Sequence, residues 1–251
     1  MKHKPNGNFL SKQTLEFQHA QVFLDIVFGV IIGIAMSGFP VLIHNVGLAP
    51  SSASVTRILL VTSALSFCAF YWLEVRVFLA EEETFNRAVR EVCGEDAQPV
   101  PLTLERYVGS LIIIVIVAAM VTFAESNFFR SFLIANILFW ALDFLGNVEG
   151  NKLYKSHKSV FDAVREEHPD DHRPFIGRFG TFFFWWDGLA TILVFSVLFV
   201  IDYLVHGSWS YRGVASGVIL VLTLFRHTVW RTKVYSWWKR KKWLQVGEQL
   251  S

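Results

Sequence analysis

The sequence predicts an all-α polytopic integral membrane protein with six transmembrane helices and both termini cytoplasmic. Three observations carry this reading. The chain is 53% hydrophobic over 251 residues, with 24 Phe and 9 Trp, which is too apolar for an ordinary water-soluble domain. Its apolar residues fall in blocks of ~20, the length at which a helix crosses a ~30 Å hydrocarbon core with every backbone hydrogen bond satisfied internally. Its basic residues gather at both ends and between alternate blocks.

In order, the spans are read as 20–44, 55–75, 107–125, 128–146, 180–204 and 208–230. The first contains "FLDIVFGVIIGIA" (23–35), interrupted only by Asp25, with Pro40 near its far end as a place for a kink. The second holds "ILLVTSALSFCAF" (58–70) and ends in "YWLEVRVF" (71–78). The third is "LIIIVIVAAMVTFA" (111–124), joined by the tight link "ESNFFR" to the fourth. Only a short apolar stretch separates Arg130 from Asp143, so the fourth helix must borrow "NFF" before Arg130 or let the arginine snorkel outward. The fifth and sixth carry "LATILVFSVLFVI" (189–201) and "VASGVILVLTLF" (214–225).

Cytoplasmic loops of membrane proteins collect Lys and Arg. With the N-terminus inside, the inner side takes the N-terminal lysines, loops 76–106 and 147–179 and the tail 231–251, leaving only Arg57, Arg130 and Arg212 outside. The net charge of +2 averages two surfaces and excludes little. A polar N-terminal stretch followed by a span too long for a signal h-region argues against a cleaved signal peptide. Residues 77–92 place Phe78, Phe85, Val89 and Val92 near one face, so the second helix is expected to continue below the membrane until "CGEDAQPVP" breaks it. A short helix is expected over 153–167 with Val160, Phe161 and Val164 on one side. Neither piece buries a core alone, so residues 1–251 form a single membrane domain. Cys68 in the second helix and Cys93 in a loop read as free thiols.

Charge inside the spans is the strongest functional signal. Asp25, Glu74, Arg76, Asp143, Asp187, Arg226, His227 and Arg231 all fall in the cytoplasmic third in this topology, and the outer two thirds read as nearly pure hydrocarbon. Tryptophans crowd the same side, leaving Trp209 outside. Interfacial tryptophans and snorkelling explain Glu74, Arg76, Arg226 and Arg231 without a function. Short carboxylates one or two turns deep reach water poorly, so Asp25, Asp143 and Asp187 are expected to face the bundle interior and meet Arg76, Arg226, His227 or an indole N–H. A structural ion-pair network and a conduction or proton site fit that expectation equally.

The "F-x-D-x-V-F" pattern of Phe23, Asp25, Val27 and Phe28 at the start of the first helix, with "YWLEVRVF" closing the second, resembles the transmembrane-protein-175 family of potassium channels. That family's signature is Arg-x-x-x-Phe-Ser-Asp. Here His19 stands in place of the arginine and Leu24 in place of the serine, so Phe23 and Asp25 carry over, with Trp72 as a partner. The resemblance covers the first two helices. It implies a tetramer around a pore lined by first helices, with a hydrophobic constriction, here at Val30, instead of a carbonyl filter. Independently of that, Val30, Ile34, Ser37 and Val41 share one helical face among Gly29, Gly33 and Gly38. An apolar ring gates a pore by dewetting and a carboxylate below it concentrates cations. Small-residue helix packing within one subunit produces the same pattern.

Enzyme chemistry finds little footing. "HPDDH" (168–172) spaces two histidines like metal ligands, but Pro169 occupies the position where a zinc protease needs its glutamate, and a solvated loop explains it better. "EEE" (81–83) reads as a wet helix face. No cofactor and no nucleic acid is implied. Lys239, Arg240, Lys241 and Lys242 fit a segment held at an anionic inner leaflet. The expectation is therefore a homo-oligomeric cell-membrane channel passing monovalent cations. A non-conducting anchor for a cytoplasmic protein partner, docking through 152–178, and a proton-coupled carrier using the three aspartates are the alternatives. The echo between "VFLDIVFG" and "FFWWDGLA" counts against an inverted repeat, because oppositely oriented halves would not place both acids inside.

Overall fold

The computed structural model describes residues 7–48, 51–94, 97, 104–156, 158–167 and 182–240. They form helices α1 (Gly7–Leu48), α2 (Ser52–Cys93), α3 (Leu104–Glu125), α4 (Phe129–Ser156), α5 (Lys158–Glu167), α6 (Phe182–Leu204) and α7 (Trp209–Arg240), with no strand among the described residues. Four of these are long and apolar enough to cross a membrane, over Gln21–His44, Ser52–Arg76, Val108–Glu125 and Phe129–Gly146; Gly188–Leu204 is a shorter apolar segment. The protein is thus all-helical and built for a bilayer.

The chain runs up and down, so the links α1–α2, α3–α4 and α6–α7 lie at one end, here the turn end. The opposite end carries the N-terminus of α1 and the C-terminus of α7 and is called the terminal end. Helices α1 and α2 are 42 residues each. At 1.5 Å per residue that is about 63 Å, roughly twice a hydrocarbon core, so both project beyond any bilayer. Helix α2 starts cleanly because Ser51 Oγ accepts the Ser54 N–H at 3.1 Å, satisfying one of the first turn's unpaired donors. It packs against α1, α3, α5 and α7, while α4 joins α3 to α6.

Both short turns use the same cap. After α3, Phe128 N–H reaches Phe123 O and Asn127 N–H reaches Ala124 O; after α6, Gly207 reaches Asp202 O and His206 reaches Tyr203 O. This pattern needs one left-handed residue, supplied by Asn127 at φ 59° and His206 at φ 50°. Glycine is the usual choice there; Asn tolerates the conformation, and at His206 the tight hairpin imposes it.

The core is aromatic towards the terminal end. Phe67 meets Phe139 edge-on at 4.7 Å, Tyr71 meets Phe139 at 5.0 Å and Phe139 meets Trp140 at 5.1 Å between ring centroids. Phe28 of α1 reaches Tyr71 at 5.9 Å. Helices already in lipid gain little from water release on associating, so this interlocking of α1, α2 and α4 acts through dispersion and ring geometry.

Several expectations change. Glu82 is 4% exposed, so "EEE" is not a wet face throughout. Positions 82, 86 and 89 share one side of α2, and Asn86 and Val89 are buried with it. The helix expected over 153–167 divides, because α4 runs on to Ser156 before α5 begins at Lys158. Cys93 is the last residue of α2, not a loop residue; both cysteines are free. Arg130 sits in the first turn of α4 and turns inward instead of snorkelling. "HPDDH" lies outside the described residues.

Candidate functional site

The terminal-end site begins with Asp25. About one turn before Gly29 on α1, its Oδ1 accepts the Trp72 indole N–H at 2.7 Å. Arg76, one turn along α2, places Nε 3.5 Å from the same oxygen and its guanidinium 5.4 Å from the Trp72 ring centre. The i, i+4 spacing of Trp72 and Arg76 puts both on one stripe of α2 facing α1. Side-chain exposure is 36% for Asp25 and 45% for Arg76, so this acid is partnered and still open to its surroundings.

Of the other two singled-out aspartates, Asp143 alone has a described side chain. Asp143, half-buried on α4, lies near enough for its charge and that of Glu74 to act on Tyr71. The Arg226 guanidinium lies 3.6 Å from the centre of the Trp140 ring. Asp187 and His227 fall on α6 and α7, and Lys239 and Arg240 close α7, but these four side chains lie outside the described residues, as do Lys241 and Lys242 altogether.

The proposed constriction residues face away from their own bundle. Leu24, Phe28, Ile31, Ala35 and Leu42 form the buried side of α1. Phe23, Val30 and Ile34 are 50%, 56% and 61% exposed on the opposite side, and Ser37, also exposed, turns its hydroxyl back to Ile34 O at 2.6 Å. A methyl added at Gly29 or Gly33 would meet no atom within 4 Å. Small-residue packing inside one subunit therefore does not account for this face. Only 22% of the α1 span is buried, against 39% of the α4 span.

The turn end holds a network that sequence reasoning missed. Asp202, near the end of α6, is completely buried. Its Oδ2 accepts Arg130 Nε at 2.7 Å and Arg212 Nη2 at 3.2 Å, and its Oδ1 accepts Arg212 Nε at 2.8 Å. Arg130 also donates to the Asp202 carbonyl at 3.3 Å. Arg212 lies 5.7 Å from the Phe129 ring centre and 5.1 Å from that of Trp209. One carboxylate thus ties α4, α6 and α7. The turn end, expected from the sequence to be nearly pure hydrocarbon, therefore holds a charged cluster. The signal available was positional: Arg130, Asp202 and Arg212 each border a turn at the same end.

Beyond the spans, Arg90 on α2 contrasts with both. Its Nε and Nη1 are buried without a hydrogen-bond partner among the described residues. Burial, and then the neighbouring Arg87 charge, hold its guanidinium below its ordinary pKa, with Glu83 pulling the other way. Among the described residues no cluster of His, Cys, Asp and Glu is arranged to hold a metal ion. No protein-family model matches the chain, and neither does any curated protein or solved structure.

Proposed function

We propose that the protein is a homo-oligomeric channel for monovalent cations, with six spans per subunit, both termini on the cytoplasmic side of a cell membrane, and pores lined by first helices. One observation carries the reading: α1 presents Val30, Ile34 and Ser37 outward, away from its buried residues. A face of that kind suits a symmetry axis, where copies of Val30 and Ile34 would form the apolar neck and Gly29 and Gly33 would let neighbouring backbones approach. Asp25 lies nearer the terminal end than the neck and is turned toward α2. Trp72 fixes one of its oxygens, and Arg76 offsets its charge from a distance that leaves the carboxylate half open.

The six-span count rests on α6 and α7 crossing beside the four long apolar helices, as the packing of α6 antiparallel to α4 and of α7 parallel to α2 favours. The cytoplasmic termini rest on the distribution of Lys and Arg. The resemblance of Phe23, Asp25 and Trp72 to the potassium-channel pattern agrees with both.

The test is flux. Purified protein in liposomes is expected to pass potassium, Val30→Ala to enlarge the flux by widening the neck, and Asp25→Asn to reduce it by removing the charge that gathers cations. Folded oligomers that leave the bilayer silent to potassium and sodium would exclude the channel.

A further inference from the structure

A second site, unrelated to the proposed pore, lies at the turn end. A cavity of about 530 Å³ opens between the end of α1, the start of α2 and the α3–α4 turn, lined by Leu42, Ser54, Arg57, Glu125, Ser126 and Asn127. It contains one cation and one anion that do not neutralise each other: neither Arg57 nor Glu125 makes an ion pair or side-chain hydrogen bond with any described residue. Oppositely charged side chains sharing a small space ordinarily close on one another. Glu125 is instead half-buried, with Oε1 3.6 Å from where a Cβ on Gly38 would stand. It lies against α1, not across to Arg57.

The third element is Asn127. Its Nδ2 donates to the Ala53 carbonyl at 3.2 Å, and its backbone is held left-handed by the α3 cap. That bond fixes the amide the right way round, because a carbonyl can only accept. The remaining oxygen, Oδ1, is buried and has no donor among the described residues, but it is closed off from the cavity. The cavity thus offers an acceptor, Glu125, and a guanidinium, Arg57, with the Ser54 hydroxyl beside them.

From this geometry we infer that the cavity binds a compact zwitterion, whose primary ammonium donates to Glu125 and whose phosphate or carboxylate accepts from Arg57. An ammonium supplies the missing donor and an anion the missing partner for the guanidinium. Val41, Ile43, Val55 and Phe128, sequence neighbours of the lining residues Leu42, Ser54 and Asn127, are between 40% and 63% exposed and suit acyl chains. The phosphoethanolamine headgroup of a lipid is the source these neighbours favour; a free amino acid shares the chemistry.

The experiment compares ligands before it compares proteins. Wild-type protein is placed in nanodiscs containing equal phosphatidylethanolamine and phosphatidylcholine, and retained lipids are counted by native mass spectrometry. Choline keeps the charge but has no N–H to donate, so ethanolamine lipid should be retained on the order of tenfold more. Glu125→Gln should erase that preference, while Arg57→Gln should lower retention of both lipids together. Free phosphoethanolamine and glycine are titrated calorimetrically into detergent-solubilised protein. Heat with either assigns a soluble source, and retention of intact lipid alone assigns the membrane; both support the site. Equal retention of the two lipids with no heat from either free compound overturns it, as does a preference that survives Glu125→Gln in protein of unchanged circular dichroism.

Discussion

Asp202 and Asp25 are both aspartates in apolar helices, and the bundle treats them in opposite ways. Asp202 is wholly buried under two arginines, with three of its side-chain contacts between 2.7 and 3.2 Å. Asp25 keeps 36% of its side chain exposed, with one short bond from Trp72 and an arginine standing off at 3.5 Å. The first arrangement locks helices together. The second holds a charge ready without closing it in, which is what an ion path requires and a staple does not. Burial depth and the number of close partners, more than the presence of an acid, separate the two roles.

Substitutions sharpen that contrast, beginning with the largest effect. Asp202→Asn leaves Arg130 and Arg212 facing each other without an anion. Loss of about 3 kcal/mol is expected, at the low end of ~3–5 for breaking a buried pair because Arg130 remains 41% exposed to other partners. Thermal unfolding in detergent reads it, and an unchanged midpoint would mean the triad is ornamental.

Next comes Gly207→Ala. A Cβ there would approach Arg212 Nη2 to 2.6 Å at a φ of 72°, and Asp202 pins that guanidinium so it cannot simply swing away. A cost of about 1–2 kcal/mol follows from the left-handed backbone alone. In the Asp202→Asn background the same change should cost less, since the arginine is then free to move; a double-mutant cycle measures the coupling.

The terminal end should respond least. Trp72→Phe keeps the ring and removes the N–H, for a stability loss near ~1 kcal/mol, and Arg76→Gln should cost less than ~1 kcal/mol as for other exposed pairs. Were either to destabilise as much as Asp202→Asn, Asp25 would be a second staple and its poised character would be lost.

The helical class and the four long apolar spans were legible because ~20-residue apolar runs leave the backbone few alternatives. The extension of α2 was legible too, since nothing between Ser52 and Cys93 breaks a helix. Asp202 was not. It closes "LATILVFSVLFVI" as an ordinary span terminus would, and its partner Arg130 lies 72 residues away, a pairing that no local pattern encodes. Glu82 was misread for a related reason: a run of three acids suggests water, and only the tertiary packing of α2 decides which of the three turns inward. The outward direction of Val30 and Ile34 likewise needed the placement of Leu24 and Phe28 on the other side of α1.

The unbroken course of α2 has a mechanical consequence. It contains neither glycine nor proline along its 42 residues, so it bends and twists as one stiff rod. Near its middle that rod carries Trp72 and Arg76, the two grips on Asp25, and it also touches the small α5. A displacement of α5 is therefore expected to travel along the same shaft to the carboxylate.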